Sequence, residues 1–234
     1  MNFYETRAFI FDMDGTLVDN MRFHGAAWQA MLLENGIEAD ASEFLIKTAG
    51  KTNREIVPQF FKDADEARLL ELGLRKEAIY RELFLPERRA IDGAIEFLTR
   101  AKSLGVKMAV ATAAPVANME FVLDGLDLRK FFTAMTTAAD VSHGKPNPEV
   151  FLKSAEKLDV EPKNCLVFED AFNGFEAAHR AGMKSIGIAT VNSIADILIC
   201  ASVVGAHNNF TDLTPPGLIK KHLPFEAAVE MNQK

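Results

Sequence analysis

A chain of 234 residues with 48% hydrophobic and 25% charged side chains can bury a sizeable core, and its length suits one large domain or a domain carrying an insertion. A formal net charge of −7 and a pI near 5.3 leave no broad basic face, which argues against nucleic acid and anionic membranes as partners and makes any anion site local. Cys165 and Cys200 stand in apolar company and read as small buried hydrophobes, Met1–Arg7 lacks a charged-then-apolar leader, and the longest apolar stretch, Ile197–Ala206, is too short to span a bilayer, so a reducing cytoplasm is expected.

The first predicted element is a buried strand over Ala8–Phe11, rich in aromatic and β-forming side chains and followed by the glycine turn at Gly15. Asp12 and Asp14 leave its carboxyl end together. Side chains at i and i+2 of an extended chain share a face, so both acids address one point. Two carboxylates that close repel unless a proton or a hard divalent cation such as Mg2+ sits between them. From about Met21 to Leu85 the periodicity is helical. Trp28, Met31 and Leu32 form one stripe, Ile56, Phe60 and Phe61 another, and Thr52-Asn53-Arg54-Glu55 is a capping box, with Pro86 closing the block.

Beyond Asp92 helices and strands alternate. Helices are predicted over Asp92–Leu104, from Pro115, from Asn147-Pro148 and over Phe172–Ala181; strands are predicted over Val106–Ala111, Ala134–Thr137, Cys165–Phe168 and Lys184–Ile188. Such alternation implies right-handed crossovers and a parallel sheet covered on both faces. The expected class is α/β with an all-helical insertion after the first strand. The tail from Asn208 to Lys234, with Pro215-Pro216 and then Ile219, Leu223 and Phe225, reads either as a packed terminal helix or as a partly free segment.

Ligands of an open parallel sheet bind beyond the carboxyl ends of its strands. Four predicted strand ends deliver Asp12 and Asp14, then Thr112, then Lys145 in a stiff Gly-Lys-Pro loop, then Glu169-Asp170, to one crevice. Phosphoryl transfer has work for each. Asp12 is the candidate nucleophile, since a carboxylate can accept a phosphoryl group and split one hard step into two. Mg2+ held by Asp12, Asp14 through its backbone carbonyl, and Asp170 with Glu169 in support would offset the repulsion between nucleophile and phosphate. Lys145 and Thr112 would hold non-bridging oxygens, and Asp14 would move the proton.

These residues resemble the haloacid dehalogenase superfamily of phosphohydrolases. Its first motif stands here as Phe11-Asp12-Met13-Asp14-Gly15-Thr16, its second as Thr112, its third as Lys145 and its fourth as Glu169-Asp170. The resemblance implies a Rossmann-like core, here residues 1–19 and 87–234, with a mobile helical cap over residues 20–86, Mg2+ as cofactor and an aspartyl-phosphate intermediate. Asp14 speaks against dehalogenation, since the dehalogenases lack that second acid.

Within the superfamily the chain looks most like the β-phosphoglucomutase group. His24 and Trp28 stand at the group's spacing in the cap opening, Gly50-Lys51-Thr52-Asn53-Arg54-Glu55 resembles its specificity loop, and Arg75-Lys76 resembles a basic pair that meets a second phosphate. The resemblance thus makes His24, Gly50, Asn53, Arg54, Lys76, Thr112, Ala113 and Lys145 the expected substrate-binding residues. Departures favour hydrolysis. Asn53 replaces the cap-loop arginine of the mutase, Asn20 replaces a hydroxyl residue, and Ala113-Ala114-Pro115 follows Thr112 where the mutase has polar side chains. The expectation is a Mg2+-dependent phosphatase of small phosphorylated metabolites, sugar phosphates foremost. A β-phosphoglucomutase-type sugar phosphomutase is the alternative, and a non-catalytic phospholigand-binding module a third.

Overall fold

The computed structural model describes residues 3–38, 48 and 50–224. Strands β1 (Ala8–Phe11), β2 (Lys107–Ala111), β3 (Ala134–Thr136), β4 (Cys165–Glu169), β5 (Lys184–Ile188) and β6 (Val203–His207) form one sheet in the order β3-β2-β1-β4-β5-β6, with every pairing parallel. This is a Rossmann-like doubly wound α/β sheet. The order reverses at β1, and the crevice at such a switch point is where ligands bind.

Alternation along β1 sorts its side chains onto two faces. Phe9 and Phe11 join Phe97, Phe168 and Phe210 on one face, where the rings of Phe11 and Phe168 stack at 4.5 Å. Ala8 and Ile10 face the other way, against Val150, Phe151, Ala177 and Ala178. Each fully buried phenylalanine contributes about 1.5–3 kcal/mol relative to exposure. Helices α4 (Ala94–Ser103), α5 (Val116–Leu123) and α9 (Pro215–His222) cover the aromatic face; α6 (Glu149–Leu158) and α7 (Phe172–Arg180) cover the other.

Between β1 and β2 the chain makes a helical insertion, α1 (Met21–Glu34), α2 (Asn53–Phe60) and α3 (Glu66–Phe84). Trp28, Met31 and Leu32 of α1 and Leu72, Ile79, Tyr80 and Phe84 of α3 are buried. The chain leaves and re-enters the sheet at one place: Val18 and Ala90 form an antiparallel bridge, and Ile91 N donates to Leu17 O at 2.9 Å.

Several elements depart from expectation. In α2 the buried positions are Ile56 and Val57, while Phe60 and Phe61 are half-buried. Strand β6 and the short helix α8 (Ile194–Leu198) went unread, because β6 is a half-buried edge strand interrupted by Gly205 and has no fully buried face. Cys165 is fully buried, whereas Cys200 is only half-buried. The tail forms the packed helix α9, with Leu218, Ile219 and Leu223 inside. Residues 225–234 of it lie outside the described residues.

Candidate active site

Asp12 follows β1 while its backbone still belongs to the sheet, its N–H donating to Phe168 O at 2.9 Å. The turn at Gly15 has φ +86, and a Cβ there would stand 2.3 Å from Asp170 Oδ2. Glycine is required both by the backbone angle and by the acid packed on it. Thr16 Oγ1 donates to Asp170 Oδ1 at 3.2 Å, so the first and fourth strand ends are tied together. Behind them, Thr190 Oγ1 donates to Gly15 O at 2.7 Å and Asn192 Nδ2 to Asp170 O at 2.8 Å.

Lys145 reaches the same point from the loop after β3. Its Nζ lies 2.5 Å from Asp12 Oδ1 and 2.5 Å from Glu169 Oε1. The other oxygen of Glu169 accepts the N–H groups of Asp170 and Ala171, each at 2.8 Å. Both oxygens of Glu169 are therefore taken by protein donors, which differs from the metal-ligating place expected for it. Gly174 makes room for this carboxylate, since a Cβ there would fall 1.9 Å from Glu169 Oε1.

Burial pushes Asp12 up to about 8; Glu169 and Asp14 add to the rise and Lys145 opposes it. Asp170 is raised well above the carboxylate range by burial, then by Glu169 and Asp12. Burial opposes charge on Lys145, but Asp12 and Glu169 outweigh it and keep the ammonium charged. Asp14 is placed otherwise. Asn20 Nδ2 donates to Asp14 Oδ1 at 2.6 Å, and His24 Nε2 stands 3.5 Å from the same oxygen with no hydrogen-bond partner among the described residues.

Among the described residues no three His, Cys, Asp or Glu side chains converge in a ready metal cluster. The donor set that does converge is two buried carboxylates, Asp12 and Asp170, beside the backbone of Asp14. That fits Mg2+, which takes one or two carboxylates and completes its shell with water and phosphate oxygens. Among the described residues Lys145 is the cation that faces these two buried acids, and burial disfavours charge on both.

A cleft opens over these groups, lined by Asp12, Asp14, Thr112, Ala113, Glu169 and Asp170 from the sheet side. Thr112 Oγ1 accepts the N–H of Ala114 at 3.0 Å, leaving its own proton to donate. From the insertion come His24, Trp28, Gly50, Lys51, Asn53, Lys76 and Glu77. Lys145 lies beneath the lining, wedged between its two acids. Two expected cap residues are elsewhere. Arg54 is exposed on α2 outside the cleft, because it falls on the solvent side of a helix whose buried positions are Ile56 and Val57. Arg75 is on the surface, paired with Glu34 at 2.6 Å.

The sequence reading missed the buried surroundings of Lys76. Its Nζ lies 2.8 Å from His24 Nδ1, 3.0 Å from Glu77 Oε1 and 5.0 Å from the Trp28 ring. Adjacent charges at Lys76 and Glu77 were the only trace of this pair in the sequence. Glu55 was read as half of a capping box, and its Oε2 does accept the Thr52 N–H at 2.8 Å. Its Oε1 also accepts the N–H of Gly144 at 3.2 Å, while Lys145 N donates to Gly50 O at 3.0 Å. The cap loop is thus hydrogen-bonded to the segment that carries Lys145.

Among the described residues no helix is long and apolar enough to cross a membrane. A family model described as haloacid dehalogenase-like hydrolase matches residues 6–182. Fructose-1-phosphate phosphatase of Escherichia coli K12 is 34% identical over 184 residues, covering 76% of this chain and 94% of that protein. The chloroplastic 5-amino-6-(5-phospho-D-ribitylamino)uracil phosphatase of Arabidopsis thaliana is 27% identical over 228 residues, 96% of this chain; the chain spans 61% of that protein's length. Among solved structures, a β-phosphoglucomutase from Clostridium difficile aligns with a TM-score of 0.82 and 25% identity, over 93% of this chain and 97% of the other.

Proposed function

The chain belongs to the haloacid dehalogenase-like hydrolases, and from that premise we propose that it is a Mg2+-dependent phosphatase of small phosphorylated metabolites, sugar phosphates foremost, working through an aspartyl phosphate on Asp12. Residues 20–86 serve as the cap over the cleft and residues 1–19 and 87–234 as the catalytic core. One observation carries the reading: two acids two positions apart have opposite surroundings, Asp12 against a buried ammonium and Asp14 against an amide and an imidazole.

Lys145 beside Asp12 opposes the burial that raises it, and Mg2+ bound at the same carboxylate would favour the anion that attacks phosphorus. As the P–O bond to the leaving group breaks, Asp14 gives its proton to the departing oxygen. Asp14 then takes a proton from the water that opens the acyl phosphate, so each cycle consumes one water and restores both acids. Lys145 and Thr112 bind non-bridging oxygens, and Glu169 holds Lys145 in place. Asp12, Asp170 and the Asp14 carbonyl would hold Mg2+, whose charge would lower the repulsion between carboxylate and phosphate.

Asp12→Asn is expected to lower phosphate release from a sugar phosphate by about a thousandfold or more, and Asp14→Asn to lose most of the rate while phosphate still binds. Substantial turnover by Asp12→Asn would remove this residue as nucleophile. The similarity to a β-phosphoglucomutase favours a second reading, sugar phosphomutation through the same intermediate. That reading prevails if an added sugar bisphosphate supports isomerisation of a hexose 1-phosphate faster than free phosphate appears.

A further inference from the structure

The insertion side of the cleft holds a buried ion pair that the reaction at Asp12 does not use. Lys76 is 3% exposed and Glu77 4%. Glu77 takes the Lys76 ammonium at 3.0 Å and the Asn53 amide at 2.8 Å on one oxygen, and the Asn118 amide at 2.6 Å on the other. Asn118 in turn accepts from Arg81 at 2.7 Å. Burial alone would raise this carboxylate, but Lys76, His24 and Asn53 reverse the effect and lower it to about 2. Glu77 is charged, and each partner cancels the other.

A second phosphate on a substrate needs an uncommitted cation, and a bidentate arginine serves it best. Lys76 is committed to Glu77, Arg75 to Glu34 on the surface, and Arg54 lies outside the cleft. Among the described residues the lining carries five carboxylates against two ammonium groups, those of Lys51 and Lys76. Trp28 packs against Lys76, its ring 5.0 Å from Nζ, and Ile56, Ala113 and Ala114 add apolar surface to the same cleft. This is a wall for carbon and hydroxyl groups.

We infer that Glu77 is the specificity-determining residue of the cleft: by cancelling Lys76 it selects a monophosphate with an uncharged polyol leaving group and turns away a substrate bearing a second phosphate. The inference rests on the phosphatase reading and names the substrate class of that same site.

The test compares phosphate release from fructose 1-phosphate and fructose 1,6-bisphosphate by the Mg2+-supplemented protein. The wild type is expected to favour the monophosphate in kcat/KM by about tenfold or more. Glu77→Gln, which frees Lys76, is expected to lower KM for the bisphosphate relative to the monophosphate by about fivefold or more. Glu77→Asp should keep the wild-type preference, and the double variant Glu77→Gln with Lys76→Met should lose the gain. A wild type that uses both sugars equally, or an active Glu77→Gln with an unchanged ratio, overturns the inference. So does a preference for the bisphosphate that Lys51→Ala removes, which would make Lys51 the distal-phosphate site. Should Glu77→Gln fail to fold, the wild-type and Glu77→Asp ratios decide. If no ester is hydrolysed, the phosphatase reading fails by itself. Calorimetric binding of the two sugars to wild type and Glu77→Gln then decides the selectivity, which stands if the monophosphate binds more tightly and the variant narrows the gap, and falls otherwise.

Discussion

Asp12 and Asp14 differ in what surrounds them more than in where they stand. Lys145 is drawn to Asp12 and Glu169 at equal distances of 2.5 Å, and Glu169 can hold it there only because two backbone amides fix its far oxygen. That fixed carboxylate depends on the absence of a side chain at Gly174. Gly174→Ala places a Cβ 1.9 Å from Glu169 Oε1, so the carboxylate must swing away from Lys145. The expected result is a stability loss of about 1–3 kcal/mol, read by thermal unfolding, together with a fall in Mg2+-supported phosphate release. The acids, Thr112 and Lys145 were legible in the sequence because each follows an apolar strand in a Gly- or Pro-marked loop. The place of Glu169 was less so, since an acidic pair looks alike whether it binds metal or holds a lysine. Arg54 and Glu77 were misjudged or missed for one reason: along a helix of α2 or α3, the side that meets the cleft is set by packing against another helix, which spacing alone does not register.

At the scale of elements, the first turn of α2 has two jobs in one carboxylate. Glu55 caps its own helix through Thr52 and crosses 89 positions to the N–H of Gly144, beside Lys145. Glu55→Ala is therefore expected to cost about 1 kcal/mol through the lost cap. It should also raise KM for a sugar phosphate several-fold, because the loop no longer seats on the segment that bears Lys145. Steady-state kinetics beside a melting curve separates the two effects, and a variant that loses stability with KM unchanged would confine Glu55 to capping. The cap half of this was readable as a Thr-x-x-Glu pattern. The tie to Gly144 was not, because hydrogen bonds across lobes leave no periodicity. Strands β1, β2 and β4 were readable as apolar runs with buried faces; β6 was not, being half-buried along its length.

For the whole molecule, the sheet order brings four loop ends to the switch point beside β1, so the acids of distant segments are buried together before any substrate arrives. Such a cluster is stabilised by whatever cation it takes. Mg2+ at about a hundred times its dissociation constant adds about 2.7 kcal/mol by mass action. For a chain of this size that corresponds to a melting temperature roughly 5–10 °C above that of the EDTA-treated protein, measured by calorimetry. Equal melting with and without Mg2+ would count against the ion at this site. The bridge between Val18 and Ala90, with Ile91 bonded to Leu17, has a different import. The insertion starts and finishes at neighbouring points on the sheet's rim, so its length and internal packing impose nothing on the register of any strand. On the phosphatase reading proposed above, a helical segment of another size spliced between these two positions would alter what is hydrolysed while leaving the chemistry in place, provided it still brings an imidazole to Asp14 and a carboxylate to Gly144.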